Sequence, residues 1–343
     1  MNIIIMTSDL MDLIEHHFRK RRIGLKSKTM FNIIMVLVMT GLIAGCGGTS
    51  PEHAKTDEGK ASTSTSYGDG GSYPRTITHL KGETVVKEKP LKIAAPYISF
   101  VDYLAVLDEY PVAAQGVEII SRNFPNLSKR IAGKDIMDLG MQVDLEKLLA
   151  AEPDIIIAAD DMKDQYEKLT QIAPTVIFPQ ADDWRKTLRQ IAEVIGKEDK
   201  ADSVLAEFDR KSTEYKEKLA FRSGESVMFV MYSGKEQFIT WNDGRFDPFY
   251  KGLGLKPVNG AADGQLSLES LAALNPDHLF VINNWQNPIQ GGVKKALEAS
   301  KVWNSMNSVK NNHVYELADP SLPGPMALAK IDGIEEIMKA LGK

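Results

Sequence analysis

Residues 143–155 read Val143-Asp144-Leu145-Glu146-Lys147-Leu148-Leu149-Ala150-Ala151-Glu152-Pro153-Asp154-Ile155. Residues 266–278 read Leu266-Ser267-Leu268-Glu269-Ser270-Leu271-Ala272-Ala273-Leu274-Asn275-Pro276-Asp277-His278. Each runs apolar-polar-Leu-Glu-polar-Leu and closes on Pro-Asp at the entrance to an apolar run. Asp144 and Ser267 stand where an N-cap accepts the free N–H groups of a first helical turn. The leucines recur at the spacing of one helix face, and the proline ends the helix and turns the chain into a strand. One local grammar written twice predicts two lobes of similar build.

Working outward, short apolar runs alternate with helical patterns on both sides of each copy. Leu91–Ile98, Pro111–Val117, Asp154–Ala159 and Thr175–Phe178 read as one set of strands. Val227–Tyr232, Gln237–Trp241, His278–Ile282 and Val314–Leu317 read as a second. Strand-helix alternation implies parallel or mixed sheets covered by helices. Between the sets, Lys200–Ala220 has no internal Gly or Pro, and Val204, Leu205, Phe208, Tyr215 and Leu219 recur at helical spacing among charges. That predicts one long helix joining the halves, roughly 30 Å in length. The fold expected is α/β: two mixed α/β lobes joined by one long rigid helix.

Ahead of the lobes, a basic block (Arg19-Lys20-Arg21-Arg22) precedes an apolar run from Met30 to Gly45 that ends in Leu42-Ile43-Ala44-Gly45-Cys46. A basic segment, a short apolar stretch and small residues before a cleavage point make a secretory leader, too short for a comfortable transmembrane helix. The last five residues resemble the bacterial lipobox, in which the cysteine is diacylated; two acyl chains suffice for stable anchoring. Cys46 is the single cysteine, so no intramolecular disulfide forms. From Gly47 to Pro74 the chain is Gly, Ser, Thr and charge, which cannot repay the entropy of ordering. The expected organisation is a lipoprotein signal peptide (1–45), a flexible tether (46–75), an N-terminal lobe (76–199), a connecting helix (200–221) and a C-terminal lobe (222–343).

The net charge of −5 argues against nucleic acid as a partner. Gly-x-Ser-x-Gly, His-Glu-x-x-His, phosphate-loop and dinucleotide patterns are missing, so no catalytic residue is assigned and an enzyme on a bilobed scaffold is the weaker reading. Asp160-Asp161 reads as helix capping. Beyond the leader only His53, His79, His278 and His313 remain, spaced so that a His-rich metal site has no obvious origin. No metal ligand is assigned.

Taken together, the echo, the lone spanning helix and the lipobox resemble the substrate-binding lipoproteins of bacterial iron-siderophore ABC importers, closest to ferric-hydroxamate binders. Ile172-Ala173-Pro174-Thr175, the run Leu188–Ala201 and the run Trp303–Tyr315 match the same family, and the likeness extends from about Lys92 to the C-terminus. The resemblance implies the fold of the class III periplasmic binding proteins. It also implies capture of an iron(III)-siderophore, hydroxamate or carboxylate, in a cleft between the lobes, with no cofactor beyond the iron(III) chelate carried as ligand. Further implications are a monomer on the outer face of the cell membrane, held there through Cys46, and docking of Glu146 and Glu269, one per lobe, onto arginines of the permease. One acidic point per lobe suits a two-fold basic partner. Such a chelate asks for Arg or Tyr donors and aromatic walls. Arg245, in Trp241-Asn242-Asp243-Gly244-Arg245, resembles the family's chelate-binding arginine; Trp241 and Trp285 are candidate walls. Tyr97 and Arg122 are candidates from loops after the first two strands. Ser321-Leu322-Pro323-Gly324-Pro325 departs from the hydroxamate binders, which often place an aromatic there, and this keeps carboxylate chelates such as ferric citrate open. Corrinoid, haem and free transition metals are the competing cargoes.

Overall fold

The computed structural model describes residues 72–342. The expected leader, Cys46 and almost all of the expected tether lie outside the described residues.

A hairpin opens the described chain, β1 (Arg75–His79) against β2 (Gly82–Val86), burying Ile77 and Val86. Immediately before it, Tyr73 donates from its hydroxyl to the Val194 carbonyl at 3.1 Å, so packing on the first lobe begins ahead of residue 76. The first sheet holds β3 (Ile93–Ala95), β4 (Ala113–Ala114), β5 (Met137–Asp138), β6 (Ile155–Ala159) and β7 (Thr175–Phe178). Their order is β5-β4-β3-β6-β7, every pair parallel. Parallel strands with both faces covered need unbroken apolar runs, and all of Ile155–Ala159 is buried.

The second sheet holds β8 (Ser226–Gly234), β9 (Gln237–Thr240), β10 (Lys256–Pro257), β11 (Gly264–Ser267), β12 (His278–Ile282) and β13 (Val314–Leu317). It runs β11-β9-β8-β12-β13, with β10 beside β8. Strands β8, β12 and β13 are parallel, whereas β9 and β11 join antiparallel. The eight expected strands are all present: Thr175–Phe178, His278–Ile282 and Val314–Leu317 have the expected bounds, β8 runs longer, and the other four are shorter.

Helix Glu198–Lys218 joins the lobes. It follows helix Trp184–Ile195, which Gly196 closes in the left-handed conformation (φ 67°) that its missing side chain permits. Ala201, Leu205, Phe208 and Ser212 form its buried stripe, one turn apart. Phe208 meets Trp184 edge-on at 5.0 Å, while Lys211 pairs with Glu335 of the C-terminal helix Ala327–Leu341 at 2.7 Å. The strut therefore grips structure on both sides.

The echoed segments fold alike. Asp144 caps helix Leu145–Ala150, accepting from the Glu146 and Lys147 N–H groups; Ser267 caps Leu268–Leu274, accepting from that of Ser270. Leu148 and Leu271 are fully buried. Glu152 and Asn275, each just before the proline, are both left-handed at φ 46° and 45°. Asp154 then accepts the N–H groups of Leu91 and Lys92, both at 2.9 Å, ahead of β3. Asp277 likewise accepts the N–H and hydroxyl of Ser226, both at 2.7 Å, at the start of β8.

Candidate functional site

Parallel strands deliver their carboxyl ends to one edge, where ligands of open α/β sheets bind. In the N-terminal lobe, Tyr97 follows β3, Gln115 follows β4, Met141 follows β5, Asp161 follows β6 and Gln180 follows β7. In the C-terminal lobe, Trp285 follows β12 and Pro320–Met326 link β13 to the last helix, while Trp241 comes from the end of β9, which runs antiparallel to β8. All of these except Leu322 line one cavity of about 410 Å³, to which Arg245 and Phe124 also contribute. Two sheet edges thus face each other across a single hollow.

Arg245 is held by its own loop. Gly244, left-handed at φ 85°, lets the chain turn back so that Arg245 donates through Nε to Asp243 at 2.8 Å, and through Nη1 to the Pro323 carbonyl at 3.3 Å. Its guanidinium lies 4.9 Å from the centre of the Trp241 ring. The hydrogen bond from Arg245 pulls the Asp243 carboxyl down to about 2, so that carboxylate stays ionised at neutral pH. Tyr97 heads helix Ile98–Val106 and meets Phe100 edge-on at 5.0 Å. Burial pushes its hydroxyl above the ordinary range, with Asp161 and Asp160 adding in the same direction. It remains a neutral donor.

Trp285 is a seam between lobes. Its carbonyl accepts from Asn123 Nδ2 at 2.6 Å, and its ring lies 5.7 Å from Phe124. The 320–326 loop is strapped to the other lobe too. Asp319 accepts the Asn126 N–H at 2.9 Å, and Asp102 accepts the Leu328 N–H at 2.9 Å, capping the last helix from outside. Burial pushes Asp102 up to about 7 and brings Lys330, whose ammonium donates to the Leu322 carbonyl, down to about 7.

Four of the five expected ligand residues meet: Tyr97, Trp241, Trp285 and Arg245. Arg122 does not. Gly116 starts a helix, Val117–Asn123, where a loop was expected, and Arg122 in its last turn faces solvent, 3.5 Å from Glu118 at i,i+4. Its neighbour Asn123 makes the interlobe contact. Asp160 and Asp161 do not cap a helix: the cap position is Ala159, Asp160 accepts the Gln180 N–H at 3.0 Å, and Asp161 opens onto the cavity. Sequence reading also missed Gln115, Met141 and Gln180, which carry no signal beyond their place just after a strand.

A larger hollow of about 880 Å³ lies alongside, against the spanning helix, with Arg245 and Pro323–Pro325 as shared wall. Several of its charges pair among themselves or with close neighbours, as in Arg185–Asp209 and Asp247–Lys251, which leaves the smaller cavity as the better seat for a ligand. His278 and His313 stack on each other at 4.4 Å at the opposite, amino-terminal end of the second sheet. His79 lies on β1. Glu146 and Glu269 are both exposed in the first turns of the echoed helices, a position the helix dipole favours. Among the described residues, no helix is long and apolar enough to cross a membrane.

Comparison with known proteins agrees with this geometry. The chain is 27% identical over 320 residues to an iron-uptake system-binding protein of Bacillus subtilis, covering 90% of this chain and 96% of that one. It is 28% identical over 300 residues to an iron(3+)-hydroxamate-binding protein of the same organism, covering 83% and 88%. The crystal structure of a triscatecholate siderophore binding protein from Bacillus subtilis, complexed with ferri-bacillibactin, superposes with a TM-score of 0.64 at 25% identity, covering 78% of this chain and 98% of that one. The family model described as periplasmic binding protein matches residues 110–320, spanning parts of both lobes and the helix between them, and the chain belongs to that family.

Proposed function

We propose that the chain is the extracytoplasmic binding protein of an ABC importer, capturing an iron(III)-siderophore between its lobes and delivering it to the permease. The observation that carries this reading is the composition of the cavity: Tyr97, Trp241 and Trp285 offer aromatic faces from both lobes, and Arg245 offers N–H donors held in place by Asp243 and Trp241. Ferric chelates present an apolar perimeter and iron-bound oxygens that accept hydrogen bonds, the complement of such walls. The iron arrives fully coordinated, so the protein supplies shape and donors and performs no covalent chemistry. The names of the relatives support the cargo class.

The chain works as a monomer, without a cofactor, held to the outer face of the membrane through diacylated Cys46 and a tether within residues 46–75. Glu146 and Glu269 dock onto basic residues of the permease. Charge reversal at both should abolish uptake into cells while leaving ligand affinity intact; undiminished uptake would remove the docking role.

A panel of apo and iron-loaded hydroxamates, catecholates and citrate, together with haem, a corrinoid, Zn²⁺ and Mn²⁺, tests the cargo through tryptophan fluorescence. Saturable quenching by a ferric chelate is expected. Tight binding of Zn²⁺ or Mn²⁺ with no response to any ferric chelate would overturn the reading.

A further inference from the structure

Ferric chelates differ in charge by kind. A tris-hydroxamate is neutral, because three singly charged ligands balance iron(III); a tris-catecholate is strongly anionic, and ferric citrate complexes are anionic too. The walls of the cavity should therefore reveal which kind they were built to hold.

Its charged wall residues are Arg245 and Asp161. Arg245 is matched by its bidentate partner Asp243, so its positive charge is balanced before any ligand enters. The N-terminal lobe faces the cavity with Tyr97, Ser99, Gln115, Gln180 and Asp161; among the described lining residues it contributes no cation. With Arg245 balanced by Asp243, Asp161 is the charged lining residue left without an ion-pair partner among the described residues. Asp161 stands just past β6, which lies beside the middle strand β3 of its sheet, at the carboxyl edge that lines the cavity. No ion pair engages it among the described residues. The Gln180 side chain and the Asp161 and Met162 N–H groups are at its carboxylate, and partial burial still raises its pKa.

We propose that Asp161 is a charge filter: it selects neutral or cationic ferric chelates, above all a trihydroxamate carrying a free ammonium that it receives, and repels polyanionic ones. This rests on the siderophore reading and deepens it. Arg245 donates to the iron-bound oxygens from one lobe, and Asp161 accepts the ammonium from the other. The cargo would then span the gap with matched polarity at each end. The triscatecholate-binding relative shows that this fold also serves anionic cargo, so the filter belongs to these side chains and not to the architecture.

The test compares ferrioxamine B, a trihydroxamate with a free ammonium, against its N-acetylated form, which is neutral and otherwise alike, and against a ferric tris-catecholate. Each is titrated into the full-length protein and into Asp161→Asn and Asp161→Lys. The wild type should prefer the ammonium form by roughly tenfold, the scale of one charge-assisted hydrogen bond. Asp161→Asn should bring that ratio toward one, and Asp161→Lys should invert it and strengthen tris-catecholate binding. Thermal melts report whether each variant is folded, and the paired ligands cancel any general loss. A ratio near one in the wild type, or one unchanged in Asp161→Asn, overturns the filter while leaving the siderophore reading standing. Binding of none of the three chelates to the wild type overturns the filter, and failure to bind ferric citrate as well overturns the siderophore reading.

Discussion

Set side by side, residues 143–155 and 266–278 share a frame and differ in what fills it. In both, a capped helix ends on a left-handed residue and a proline, and an aspartate ties the next strand to its neighbour. The N-terminal copy then enters its strand on Ile155, buried among apolar side chains. Its counterpart enters on His278, equally buried, with Nε2 at 2.7 Å from Glu225 and Nδ1 at 3.2 Å from the Tyr315 hydroxyl. The difference teaches that backbone geometry was duplicated while side-chain chemistry was free to diverge. At the base of the sheets one copy is dry and the other polar; across the cavity one lobe brings Arg245 and the other Asp161.

Exchanging the strand-entry residues breaks the comparison most severely. Ile155→His puts an imidazole into apolar surroundings without a partner and should cost about 3 kcal/mol in urea denaturation, well above the cost of His278→Ile. A smaller loss follows removal of the aspartate ties. Asp277→Ala and Asp154→Ala should each cost about 2 kcal/mol, since each frees donors at the start of a strand. Similar losses at the two sites would uphold the shared frame, and a neutral result at one would break it.

These positions also show how much was legible beforehand. Periodicity and capping chemistry revealed the strands, the echoed helices and the spanning helix, because apolar burial forces a period on the sequence. The β1–β2 hairpin escaped notice because only Ile77 and Val86 are buried on it, and its polar face continues the composition of the segment before it. At the site, Arg245 stood out through its Asp-Gly turn and its resemblance to a known family. Asp161 did not, because a carboxylate after a strand looks the same whether it caps a helix or faces a ligand. Arg122 was misplaced because the local sequence suits a helix terminus as readily as a loop.

The polar base of the C-terminal copy sharpens the comparison through pH. Burial holds the His278 pKa below that of an exposed imidazole, although the Glu225 hydrogen bond works against it. The unfolded chain therefore takes up the proton first as pH falls. Stability from the neutral ring is complete above about pH 6.5 and is lost progressively below it. Urea midpoints measured from pH 7.5 to 5 should fall less steeply in His278→Ile than in the wild type. His79, also lowered by burial, keeps part of the slope in both. Equal slopes would mean that His278 does not titrate on unfolding.

The smallest effect concerns the residue before the proline. Asn275 tolerates the left-handed conformation, and its Oδ1 accepts the Asn307 N–H at 2.8 Å. Glu152 holds the same φ with a side chain less suited to it and an exposed pairing to Lys92 at 3.4 Å. Glu152→Asn should raise stability by about 0.5 kcal/mol, seen as a higher melting temperature; Asn275→Glu should lower it.

The most direct test of the account is a crystal structure of the full-length protein with a ferric trihydroxamate, the iron located by its anomalous signal. The account predicts one iron per chain inside the cavity, its chelate touching Arg245 and Trp241 from one lobe and Tyr97 from the other. Iron bound on a single lobe, in the neighbouring hollow against the spanning helix, or coordinated directly by protein side chains would contradict it.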